Sequence, residues 1–119
     1  MRISNMTPED LKEGDYLLKS NNLIGPDEDI AEIAECDRCT YSGQSKGKMY
    51  VTTNKLIFTG NGTFIPFTME RDKIVEIRKA TVKVVFNIGI EFVMDDGKIH
   101  KFAFHHDRDM WLAFFNGEI

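Results

Sequence analysis

Cysteine, proline and tryptophan are all scarce: two, three and one in 119 residues. Two cysteines are too few for a disulfide framework. The opening Met1-Arg2-Ile3-Ser4-Asn5-Met6 has no apolar stretch of the kind that leads a secreted chain, so reduced thiols and a cytoplasmic location are expected. No apolar run approaches the length of a transmembrane helix. There is no Gly-rich phosphate loop, no paired-carboxylate motif on a helix and no His-Glu metal signature. Catalysis is therefore not expected, and no cofactor is implied. Basic residues interleaved with aromatics, the mark of a nucleic-acid face, are missing as well.

Core-forming residues are plentiful. Leu, Ile, Val and Phe number 33, enough to exclude wholesale disorder and to fill one domain. Ile, Val and Phe outweigh Leu and Ala, which favours strands. The net charge of -4 is unevenly spread. Residues 1–39 carry -6, residues 40–83 carry +5, and residues 84–119 carry -3. A basic centre inside an acidic chain asks for an explanation.

Thr7-Pro8-Glu9-Asp10 has the signals of a helix start, and Gly14 is a ready terminator, so one or two turns of helix are expected. Asp15 to Leu23 reads as extended, and residues 1–30 as an extension ahead of the main body. Short strands follow: Ala31–Tyr41, Lys48–Thr52, Lys55–Thr59, Phe64–Thr68, Ile74–Lys79, Val82–Phe86, Ile88–Met94 and Lys98–Phe104. Ser42–Lys46 reads as a polar loop, Thr53-Asn54 and Gly60-Asn61-Gly62 as turns, and Asp95-Asp96-Gly97 as a hairpin turn. Pro66 has no amide to donate, so its strand belongs at an edge. Ile88, Ile90, Phe92 and Met94 alternate onto one face. The period then changes. Asp107 is a candidate cap, Trp111, Phe114 and Phe115 form an apolar helical stripe, and Gly117 is a stop, giving a helix over 107–117. About seven antiparallel strands, as two packed sheets or a barrel, closed by a C-terminal helix, satisfy this pattern.

Gly47-Lys48-Met49-Tyr50-Val51-Thr52-Thr53-Asn54-Lys55-Leu56-Ile57-Phe58 resembles the hairpin of GRAM domains, in the pleckstrin-homology-like superfamily. Ile65-Pro66-Phe67 with Ile74 to Lys79, the hairpin Gly89 to Phe104, and Arg108-Asp109-Met110-Trp111 are similar to later segments of that family. Lys55 stands where the family usually has Arg. The resemblance implies a single domain, with a GRAM-type barrel over 31–119 and a non-enzymatic role in binding. It also implies anionic membrane lipid headgroups, held by basic residues near the first strand-to-strand loop, as one class of partner.

Lys46, Lys48 and Lys55 are the candidate lipid-binding residues on that basis. Two lysines two apart can place both ammonium groups on one phosphate. Asp95-Asp96, which the family places near the same end, would repel it. The competing reading of these lysines is a solvated face that guards a strand edge. A protein-interaction or self-association module stays open beside the lipid reading, since acidic and basic segments can meet between copies. Cys36-Asp37-Arg38-Cys39 has metal or redox spacing. On a strand, however, positions 36 and 39 face opposite sides, and no second cysteine pair exists to complete a zinc site. His105-His106-Asp107 has no nucleophile to serve.

Overall fold

A capping box starts the chain's first helix, α1 (Pro8–Ser20), in the computed structural model, which describes residues 4, 6–62 and 66–118. Thr7 Oγ1 accepts from the Asp10 amide and the Asp10 carboxylate accepts from the Thr7 amide, satisfying two of the donors a helix start leaves free. The helix outruns the expected one or two turns. Gly14 does not end it but lies buried in its middle. A Cβ there would stand 2.8 Å from Tyr50 Cε1 and 3.2 Å from Ile30 and Ile33 Cδ1. The glycine serves close packing of helix on sheet, so the segment read as extended from Asp15 is helical through Ser20.

Seven strands follow: β1 (Ile30–Thr40), β2 (Gly43–Thr52), β3 (Lys55–Gly60), β4 (Pro66–Glu70), β5 (Ile74–Val82), β6 (Phe86–Met94) and β7 (Ile99–Ala103). They form one antiparallel sheet in the order β4-β3-β2-β1-β7-β6-β5. The end strands β4 and β5 are consecutive in sequence, joined only by the 3-10 turn Arg71–Lys73. Laid flat, the ends of seven strands would be about 29 Å apart. Glu70 to Ile74 spans at most roughly 14 Å. The sheet must therefore curl until its edges approach. Pro66 sits on an edge strand, as its missing donor requires. Helix α2 (Arg108–Phe115) packs against β5 and β6.

The curl makes two cores. Inside it, Phe58, Phe92, Phe102, Phe104, Met49 and Leu56 meet Trp111 and Phe115 of α2. The apolar stripe of the last segment is thus the helix's core face. Outside it, Leu18 of α1 and Ile24 cover Ile33, Tyr50 and Ile57. Strand β1 is consequently buried on both faces near Ile33 and Ala34, which is why its alternation is weak.

Other expectations shift. Residues 43–46 continue β2 rather than looping. The hairpin of β5 and β6 turns at Lys83–Val85, so Val82–Phe86 is no strand. The strand placed at Phe64 starts at Pro66, and positions 63–65 lie outside the described residues. Asp107 precedes α2 with a left-handed backbone, φ 58°, and makes no side-chain cap bond. Gly117, φ 75°, ends the helix, and the Glu118 amide reaches back to Ala113 O.

Candidate functional site

Lys46 and Lys48 both lie on β2: Lys48 on a strand as expected, Lys46 on its continuation and not in a loop. Across the ladder Lys46 faces Asp37 and Lys48 faces Glu35. Residues directly opposite in an antiparallel pair share a face, so both lysines lie on the outer surface beside carboxylates. They line a cleft of about 320 Å³ together with Glu35, Asp37, Asn61, His105 and His106. Asp37, nearly buried, is bonded to His105 Nε2 at 3.0 Å. The Lys48 charge also reaches Asp10, whose carboxyl is held below its usual range first by the Thr7 amide and hydroxyl and then by that lysine. The local field is mixed: cations and anions alternate across the two strands.

Lys55 is not brought to this cleft. It lies four residues along β3 from Thr59, the partner of Lys48, a separation of about 13 Å. Its ammonium donates to Leu23 O at 3.0 Å and sits 3.6 Å from Glu28 Oε1. Burial would raise the Glu28 pKa. The Thr52 hydroxyl, the Gly25 amide and Lys55 outweigh that and hold it below the ordinary value. Lys55 thus helps fasten the segment after α1 to the β2–β3 turn.

Sorting the basic centre by partner divides it. Lys55, Lys73 and Arg78 have carboxylates within ion-pair distance, and Arg71 donates to Thr52 O. Lys46, Lys48, Lys79 and Lys83 make no ion pair among the described residues. Lys46 is joined to the β5–β6 hairpin by one continuous cross-strand row, Lys46–Asp37–Ala103–Gly89–Ala80.

That hairpin is the feature the sequence reading missed. Its turn exposes Val84, Val85 and Phe86, which retain 86%, 70% and 53% of their accessible surface. The Val85 amide closes on Lys83 O at 2.8 Å, a three-residue turn around Val84. Lys83 and Val84 both have positive φ, 53° and 70°. A β-branched residue there is a genuine outlier. The base of the hairpin is firmly held. Arg108 Nη1 donates to Ala80 O at 3.2 Å and Gly89 O at 3.0 Å, and Lys101 Nζ donates to Thr81 O. Gly89 permits that approach, because a Cβ would lie 2.9 Å from Ala80 O. One signal was available. Ile74 to Met94 is too long for one strand and has no Gly, Pro, Asp or Asn before Asn87, so its turn had to expose strand-forming side chains.

The remaining candidates resolve locally. Cys36 is buried in the inner core, its thiol pKa pushed well up by burial. Cys39 lies on the opposite face, across from Lys101. Both are free. Arg38 stacks 3.7 Å over Phe67, whose ring also meets His100 edge-on at 4.7 Å. Burial, then the Arg38 charge, lowers the His100 pKa. No helix among the described residues is long and apolar enough to cross a membrane.

Known structures share this architecture. The C-terminal domain of an unknown protein from Leishmania infantum superposes with a TM-score of 0.73 at 17% identity, covering 94% of this chain and 97% of that one. The linker-DH/PH portion of p115-RhoGEF superposes with a TM-score of 0.63 at 10% identity, over 87% of this chain but only 33% of that longer one. At such identities the likeness shows the fold alone, and in the second case it is that of a protein containing a PH domain. No curated protein matches the sequence. The profile of the GRAM domain matches residues 15–115, nearly the whole of the fold just described, and the chain belongs to the GRAM domain family.

Proposed function

We propose that this GRAM domain is a non-enzymatic module that docks peripherally on anionic membrane lipid. The observation that carries the reading is the set of four lysines, Lys46, Lys48, Lys79 and Lys83, that have no carboxylate within ion-pair distance among the described residues. Basic side chains beside an anionic leaflet contribute roughly 1 kcal/mol each. Lys46 and Lys48 share the outer face, whereas Lys79 pairs with the inner-core Ile90 and lies on the other side of the sheet. The four together therefore give less than about 4 kcal/mol, a dissociation constant weaker than about millimolar. Glu35 and Asp37, opposite two of them, reduce that further. The expected attraction is weak, delocalised and sensitive to salt, unlike a tight headgroup pocket.

Vesicle flotation tests it. Phosphatidylcholine vesicles doped with phosphatidylserine should carry the protein at low salt and release it as salt rises. Lys46→Ala with Lys48→Ala should weaken binding by up to about thirtyfold. Lys55→Ala should leave binding unchanged while lowering stability, since its ammonium is already engaged. No flotation on any anionic vesicle at low salt overturns the reading and favours a protein partner or self-association.

A further inference from the structure

We propose that the β5–β6 turn is an apolar finger that enters the headgroup region of an anionic bilayer, with Val84 and Val85 at its tip. The inference rests on the docking reading and supplies what that reading lacks. Electrostatic attraction alone is weak, and durable peripheral attachment takes two signals, one of them apolar.

Folding does not account for this turn. Positive φ is readily adopted by Gly or Asn, whereas a valine there carries a conformational cost. In return the chain obtains only exposed apolar surface at three consecutive positions. The tip is convex, so it fills a soft phase rather than receiving a ligand. The base is rigid: Arg108 binds both hairpin strands through Ala80 O and Gly89 O. A firmly held tip does not lose its order on insertion.

Charge selects the occupant. From Ile77 to Ile90 the chain holds three cations and no carboxylate. Arg78 is bound to Glu91 and Glu76, which leaves Lys79 and Lys83 on the hairpin without an ion pair among the described residues. An apolar tip flanked by free cations complements an anionic leaflet, where lysine heads stay among phosphates as the tip sinks. A second copy of the chain is a poor fit. Three side chains fall far short of the roughly 800 Å² per partner of a stable interface, and their lysines would repel.

The test uses two variants of the whole chain. Val84→Ser with Val85→Ser keeps all charges and alters only exposed positions. It should weaken binding to phosphatidylserine-containing vesicles on the order of tenfold with unchanged circular dichroism. Val85→Trp should be quenched by brominated acyl chains, whereas Trp111, which is buried, should not be quenched in the unaltered protein. If the unaltered protein floats, but the serine variant binds as well or the new tryptophan escapes quenching, the finger is wrong and the electrostatic docking stands. If the serine variant changes only the sedimentation of the protein, the tip is a self-association contact and the proposal falls. If the unaltered protein does not float at low salt, the underlying reading fails first.

Discussion

Val84 concentrates the conflict between stability and use in one residue. Its φ of 70° suits asparagine or glycine, so Val84→Asn should stabilise the fold, by about 1 kcal/mol in urea unfolding. The same change removes an exposed apolar side chain and should lower vesicle affinity. A variant that is both less stable and equally well bound would contradict the strain and the finger together. Nothing in Lys83-Val84-Val85-Phe86 announces a turn, because each is an acceptable strand residue. Gly14 shows the opposite ambiguity. A glycine after a capped helical start reads as a stop, yet this one faces Tyr50, 36 positions later. Short-range rules cannot see a contact of that range. By contrast, Pro66 was legible, because its missing donor is a property of the residue itself and its strand lies at an edge.

At the scale of elements, the strands and the terminal helix were readable from period. Ile90 and Phe92 fall fully buried on the predicted face. The extent of α1 was not readable, since its apolar residues pack on the sheet's outer surface and only the sheet shows where that surface is. The segment after α1 is fastened by Glu28, which takes the Thr52 hydroxyl at 2.6 Å, the Gly25 amide and the Lys55 ammonium. Its pKa is lowered from 4.5, those three together overcoming the opposing effect of burial. A carboxylate with a depressed folded pKa adds stability above its unfolded pKa and loses it as pH falls through the folded value. Glu28→Gln should therefore be less stable than the unaltered protein near neutrality, and the two should converge as the pH falls below 4.5 and through the lowered folded pKa. Urea unfolding across a pH series checks this. A gap that persists undiminished in acid would mean that Glu28 acts by shape and not by charge.

For the molecule as a whole, the net charge of -4 describes no surface that a partner would meet. The sheet's curl was only half legible. Strand count and order of motifs were in the sequence, whereas the pairing that sets Glu35 against Lys48 and Asp37 against Lys46 is a matter of register. That register makes the basic centre self-limiting, and it can be tested from the acidic side. Glu35 is exposed, and no hydrogen bond among the described residues holds its carboxylate. Glu35→Gln therefore removes an opposing charge at little cost to the fold. If docking is electrostatic, it should strengthen binding to anionic vesicles several-fold at low salt. The gain should vanish near molar salt, where screening acts within about 3 Å. The same change should do nothing on vesicles of phosphatidylcholine alone. A gain that survives high salt would have to come from shape or hydrogen bonding, and no gain at low salt would mean that Lys48 never faces the membrane.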